Sequence, residues 1–116
     1  LLANGGNFEV NPTDFAPETV SGTAFVRGNS TTAGKSGVRS ASNAWVTGLS
    51  GNYADNTTAY LYSPSFNMTA SGTYNLSFYA KNIFEIGYDG YLLQYSLNGG
   101  DTWTYLGNAV QTNWYD

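Results

Sequence analysis

The sequence predicts an all-β protein, an antiparallel sandwich of short strands, and three features carry that expectation. Apolar and polar residues alternate with a period of two in residues 73–81, where Tyr74, Leu76, Phe78 and Ala80 interleave with Asn75, Ser77, Tyr79 and Lys81. The same period in residues 91–97 runs into Asn98, Gly99, Gly100 and Asp101, a cluster able to supply the positive φ angles of a hairpin reversal, before Trp103 and Tyr105 resume the pattern. Finally, 10% of residues are charged and 16% aromatic, so the polar surface must be built from Ser, Thr, Asn and Gly, which suits sheets. No long window repeats apolar residues every 3.6 positions, as an amphipathic helix would.

Taken in order, residues 7–10 read as a first strand, with Phe8 and Val10 on one side and Glu9 on the other. Residues 11–19 hold Pro12 and Pro17, which interrupt ladders, and read as a loop or an irregular edge. A short strand follows at 23–27. Residues 28–43 carry Gly, Ser, Thr and Asn with Val38 as their single bulky apolar side chain. By composition that stretch is either a flexible surface segment or a loop folded around a cation. Apolar character returns at 44–49, a second loop occupies 51–58, and strands are expected at 59–66 and 73–81 before the hairpin at 91–106. Of the aromatics, Trp45, Phe66, Phe78, Tyr95 and Trp103 are the expected core. Tyr60, Tyr62 and Tyr79 fall out of phase with Leu61 and with the Leu76/Phe78 face, so they are the candidates for an outward surface that stacks on sugar rings or meets a protein. Cross-strand pairing on a solvated sheet is the competing use for them.

Length and charge bound the function. A chain of 116 residues is read as one domain spanning residues 1–116, with a formal charge of −4. Lys and Arg number 4 against 8 Asp and Glu, the wrong balance for tracking phosphates, so nucleic acid is not an expected partner. No stretch approaches the roughly 20 apolar residues that span a bilayer, so no membrane insertion is expected. With no His and no Cys, Ser-His and Cys-His catalysis and thiolate or imidazole metal sites are excluded within this chain. Asp55, Glu85 and Asp89 lie in loops, and a glycosidase would need two carboxylates about 5–9 Å apart across a cleft. The chain is therefore expected not to be an enzyme.

Two resemblances add to this reading. The turn SLNGGDTW, residues 96–103, resembles the Asp-box of sialidases and other β-proteins, with Asn98 where aspartate usually stands. In that motif a side-chain oxygen caps backbone amides while the Trp packs beneath, a structural role. More broadly, the order FE, FVRG, a Gly/Ser loop, AWVTGLSGNY, LYSPSF, LSFYAKN, DGYLLQYSLNGGDTW and NWY is similar to the MAM-like jelly-roll modules of secreted bacterial proteins. Such modules accompany immune inhibitor A-type metallopeptidases and occur in many Bacteroidetes surface proteins.

That resemblance implies an antiparallel jelly-roll β-sandwich lacking the C-terminal strands that family members carry beyond the NWY region. It implies a secreted or cell-surface bacterial location, in company with other domains of a parent protein. The function it implies is non-catalytic: adhesion, or recognition of a glycan or cell-surface protein. The alternative is an accessory domain of a secreted peptidase or polysaccharide-degrading enzyme. It also implies calcium, with Glu9 of the FE pair and Asn29 as side-chain ligands and carbonyls of residues 28–37 completing the shell.

Overall fold

A computed structural model describes residues 8–9, 14–32, 35–39, 42–85 and 87–107. Among them there is no α-helix, and six short strands form three antiparallel two-stranded ladders. The chain divides into two compact units, Leu1–Lys81 and Asn82–Asp116. The expected C-terminal element at 113–115, and Asn7 and Val10 of the expected first strand, lie outside the described residues.

In the first unit, β1 (Ala16–Ser21) pairs with β4 (Thr58–Tyr62), and β2 (Phe25–Gly28) with β3 (Ala44–Thr47). β2 also approaches both β1 and β4. The register of the first ladder sets Ala16 opposite Tyr62, Pro17 opposite Leu61, Glu18 opposite Tyr60 and Thr19 opposite Ala59. Between Thr19 and Ser21 it shifts, leaving Val20 as the extra residue of a bulge. Pro17 is tolerated because β1 pairs on one side only, so its missing N–H interrupts no second ladder. The irregular edge expected near residues 11–19 is thus a real strand from Ala16 onward. At Phe8, by contrast, φ is +58° and residues 8 and 9 form a bend, so the strand expected over 7–10 is not extended there.

The corner between β1 and β2 is closed by hydroxyls. Thr57 Oγ1 accepts the Thr23 N–H (3.0 Å) and donates to the Ala54 carbonyl (2.6 Å), while Thr23 Oγ1 accepts the Ala54 N–H (2.8 Å). Gly22 must be glycine at this corner. Its φ is +73°, and a Cβ there would lie 2.2 Å from Thr57 Oγ1.

Residues 28–32 are folded rather than linker-like. Ser30 is the one fully buried side chain among the described residues, 1% exposed. Its Oγ donates to the Leu49 carbonyl (2.8 Å) and accepts the Thr32 N–H (3.2 Å). Thr32 Oγ1 in turn accepts the Gly51 N–H (3.0 Å). Lys35 Nζ donates to the Thr47 carbonyl and lies 6.0 Å from the centroid of the Tyr53 ring. The stretch is therefore sewn to the 47–51 turn by its own hydroxyls and ammonium.

The second unit holds β5 (Gln94–Tyr95) and β6 (Thr104–Tyr105), joined at the reversal the sequence predicts. Asn98 Oδ1 accepts the Thr102 N–H (3.0 Å) and the Ser96 hydroxyl (2.8 Å), and Ser96 Oγ accepts the Gly100 N–H (2.8 Å). Gly99 and Gly100 take φ of +73° and +101°.

The expected core is where the structure departs most. Among the described residues no apolar side chain is fully buried. Trp45 and Phe66 are half-buried, whereas Phe78 is 49% exposed, Trp103 42%, and Tyr95 similarly open. The strand expected over residues 73–81 is absent, although its alternation is present in the sequence. The physical reason is that a period of two specifies a face, and a strand needs in addition a neighbour to take its N–H and C=O groups. None of the described ladders includes these residues.

Candidate functional site

The outward tyrosines separate into two places with different chemistry. Tyr60 and Tyr62, two apart on β4, share a face, as strand periodicity requires. Their rings lie 6.1 Å apart between centroids and within 25° of parallel. Register puts Glu18 and Ala16 of β1 on that face beside them. The Tyr62 hydroxyl donates to Glu18 Oε2 at 2.7 Å, a diagonal contact across the ladder. That hydrogen bond is the main cause that raises the Tyr62 pKa above its ordinary value, since Glu18 accepts best from the protonated phenol. The result is an aromatic ridge with a fixed carboxylate at its side and the small Ala16 leaving room at one end.

Tyr79 is elsewhere. It is 77% exposed and carries the Arg39 guanidinium over its ring, 4.5 Å from the centroid, with Arg39 Nη2 donating to the Tyr79 hydroxyl at 3.5 Å. Two residues on, Lys81 Nζ donates to the Ser36 carbonyl (2.8 Å). Residues 36–39 and 79–81 are thus tied together twice by side-chain contacts.

Glu9 sits at a third place. Its Oε1 accepts the backbone N–H groups of Ser42 (2.9 Å) and Asn43 (2.7 Å), and its Oε2 accepts Asn43 Nδ2. Beside it Arg27 Nη1 donates to the Phe8 carbonyl (2.7 Å). The Ser42 and Asn43 amides lower the Glu9 pKa, desolvation opposes them, and the Asn43 side chain and the Arg27 charge lower it further. Both carboxylate oxygens of Glu9 are thus already engaged by N–H donors, whereas a calcium ion would need six to eight oxygen ligands. Asn29 stands exposed at the start of the 28–32 segment. Beyond that segment, the Lys35 ammonium donates to the Thr47 carbonyl. Among the described residues no three His, Cys, Asp or Glu side chains group as a metal site.

Of the loop carboxylates Asp55, Glu85 and Asp89, that of Asp89 serves a turn. Asp89 Oδ2 accepts the Glu85 N–H at 3.3 Å while the Glu85 carbonyl accepts the Tyr88 and Asp89 amides. Sequence reasoning missed Glu18 and Arg39 as partners of the tyrosines. The Glu18–Tyr62 pair needs the β1–β4 register, and no local signal joins Arg39 to Tyr79. Among the described residues no helix is long and apolar enough to cross a membrane. In comparisons with known proteins, no family model, no curated protein and no solved structure matches the chain.

Proposed function

We propose that the chain is a non-catalytic recognition module of a secreted or cell-surface bacterial protein, and that the β1–β4 face binds glycan. The observation that carries this reading is the Tyr60–Tyr62 ridge with Glu18 beside it. Sugar rings present apolar C–H faces and a rim of hydroxyls; near-parallel aromatic rings match the first, and a carboxylate acceptor matches the second. The low content of charged residues and the Ser/Thr/Asn surface are consistent with an extracellular setting.

The three ladders belong, in this proposal, to a jelly-roll sandwich of MAM-like type, with adhesion as the role of the parent protein. Calcium remains part of it only at a cost, because an ion at Glu9 would have to displace the Ser42 and Asn43 donors. A calcium titration followed by thermal unfolding tests that element, and an unchanged melting temperature ends it.

Retention of the chain on neutral polysaccharides, measured by affinity electrophoresis, tests the main reading. Wild type should be retarded by at least one neutral glycan, Tyr60→Ala should abolish the retardation, and Tyr62→Phe should weaken it by releasing Glu18. Retardation that is indifferent to both substitutions sinks the β1–β4 assignment.

A further inference from the structure

We propose that Arg39, Lys81 and Tyr79 form a second surface, distinct from the β1–β4 face, that takes the anionic group of an acidic polysaccharide, a uronate carboxylate or a sulfate ester. The inference rests on reading the chain as a glycan-binding module and adds to it the class of glycan.

Charge segregation is the first support. The chain is acidic as a whole, yet no Asp or Glu occurs between Thr19 and Ala54 or between Asn56 and Phe84. All 4 of its cationic side chains fall in those two stretches, and one of them, Arg27, is held on the Phe8 carbonyl. Lys35 is folded inward onto the Thr47 carbonyl, which leaves Arg39 and Lys81 as the outward pair. Glu9, which reaches Ser42 and Asn43, is already engaged by those amides and by the charge of Arg27, and Glu85 follows Lys81 by four residues in the sequence.

Geometry is the second support. Two contacts, Arg39 on Tyr79 and Lys81 on the Ser36 carbonyl, fasten residues 79–81 to residues 36–39 and so bring the two cations onto one patch. Arg39 has five N–H donors, and the described residues take one of them, at the long distance of 3.5 Å. With its carbon 4.5 Å from the ring centroid, the guanidinium keeps its other donors for an anion, in the planar fork that matches carboxylate or sulfate oxygens. Tyr79 contributes its exposed aromatic surface for the sugar ring that bears the anionic group. The overall charge of −4 does not prevent this, because charges beyond about 8–10 Å are largely screened at physiological salt.

The test uses the whole chain and four probes: polygalacturonate, dextran sulfate, unmodified dextran and duplex DNA. Wild type should be retained on one or both acidic polysaccharides and released by salt, and the two acidic probes separate uronate from sulfate. The double variant Arg39→Ala/Lys81→Ala should bind the acidic polysaccharide at least about tenfold more weakly, the ratio that one charge-assisted hydrogen bond supports. Arg39→Lys should recover only part of that loss, since it restores charge without the fork. Retention on neutral glycan through Tyr60 and Tyr62 should be unchanged in both variants, which shows that they remain folded. Equal binding of acidic polysaccharide by wild type and double variant overturns the proposal, as does equal retention on DNA, which would reduce the patch to unspecific charge. Wild-type retention on neutral but not acidic glycans overturns this proposal alone. No retention on any glycan overturns the glycan reading on which it rests.

Discussion

Replacing Ser30 by Ala removes one oxygen atom and, with it, the only fully buried side-chain contact among the described residues. Two hydrogen bonds go, from Ser30 Oγ to the Leu49 carbonyl at 2.8 Å and from the Thr32 N–H to Ser30 Oγ at 3.2 Å. At roughly 0.5–1.5 kcal/mol net for each, the sum is about 1–3 kcal/mol. The longer bond belongs near the bottom of its range, and Leu49 is itself exposed, so water can reach the orphaned carbonyl. The expected loss is therefore about 1–2 kcal/mol. For a chain of this size that corresponds to a fall of roughly 4–8 °C in melting temperature. Urea unfolding followed by tryptophan fluorescence measures it, with Thr31→Ala as the exposed neighbour expected to stay within about 0.5 kcal/mol of wild type. If Ser30→Ala falls in that same narrow band, Ser30 does not hold the 28–32 segment against the 47–51 turn, and the claim that this stretch is folded loses its basis.

Two other substitutions probe the corner and the amide-held carboxylate. Gly22→Ala drives a Cβ to 2.2 Å from Thr57 Oγ1 and 2.7 Å from the Thr57 Cα at a φ of +73°, whereas Gly37→Ala meets nothing within 4 Å at a φ of +89°. The first should cost about 1–3 kcal/mol beyond the second in the same unfolding assay, and equal costs would show that the Thr57 contact is not made. For Glu9 the folded-state pKa lies below the unfolded value, so its contribution to stability is present at neutral pH and is lost as pH falls through the folded-state pKa. Melting temperatures from pH 7 down to pH 3 should therefore fall more for wild type than for Glu9→Gln; parallel curves would mean that the Ser42 and Asn43 amides do not favour the charged form.

The parts of the fold that were legible in the sequence are those fixed by local chemistry. Asn98, Gly99 and Gly100 announce a reversal because the turn needs positive φ at the glycines and a short polar side chain to cap amides, and both are found. The 23–27 and 44–49 runs become β2 and β3 because β-branched and aromatic residues suit a paired, half-buried strand. The 73–81 run has the same composition and a cleaner alternation, yet forms no ladder. What separates the two cases is the neighbour: Val26 has Val46 opposite it and Arg27 has Trp45, while Leu76 and Phe78 have no opposing strand among the described residues. Pairing is a relation between distant segments, and a pattern read along one segment does not contain it.

The same distinction explains why three outward tyrosines read as one surface but stand as two. Tyr60 and Tyr62 are joined by the two-residue period, which the sequence displays openly. Tyr79 enters that group only because it is also out of phase with an apolar face, and phase says which way a side chain points, not what lies beside it. The partners decide the chemistry: Glu18, 44 residues from Tyr62, makes the first place an acceptor for hydroxyls, and Arg39, 40 residues from Tyr79, makes the second a donor for anions. A ligand that satisfied both would need neutral and acidic sugars in one chain. On the proposed glycan reading, recognition at the two places is separable by substitution, and a glycan whose binding is lost equally on changing Tyr60 or Arg39 would have to carry both kinds of unit.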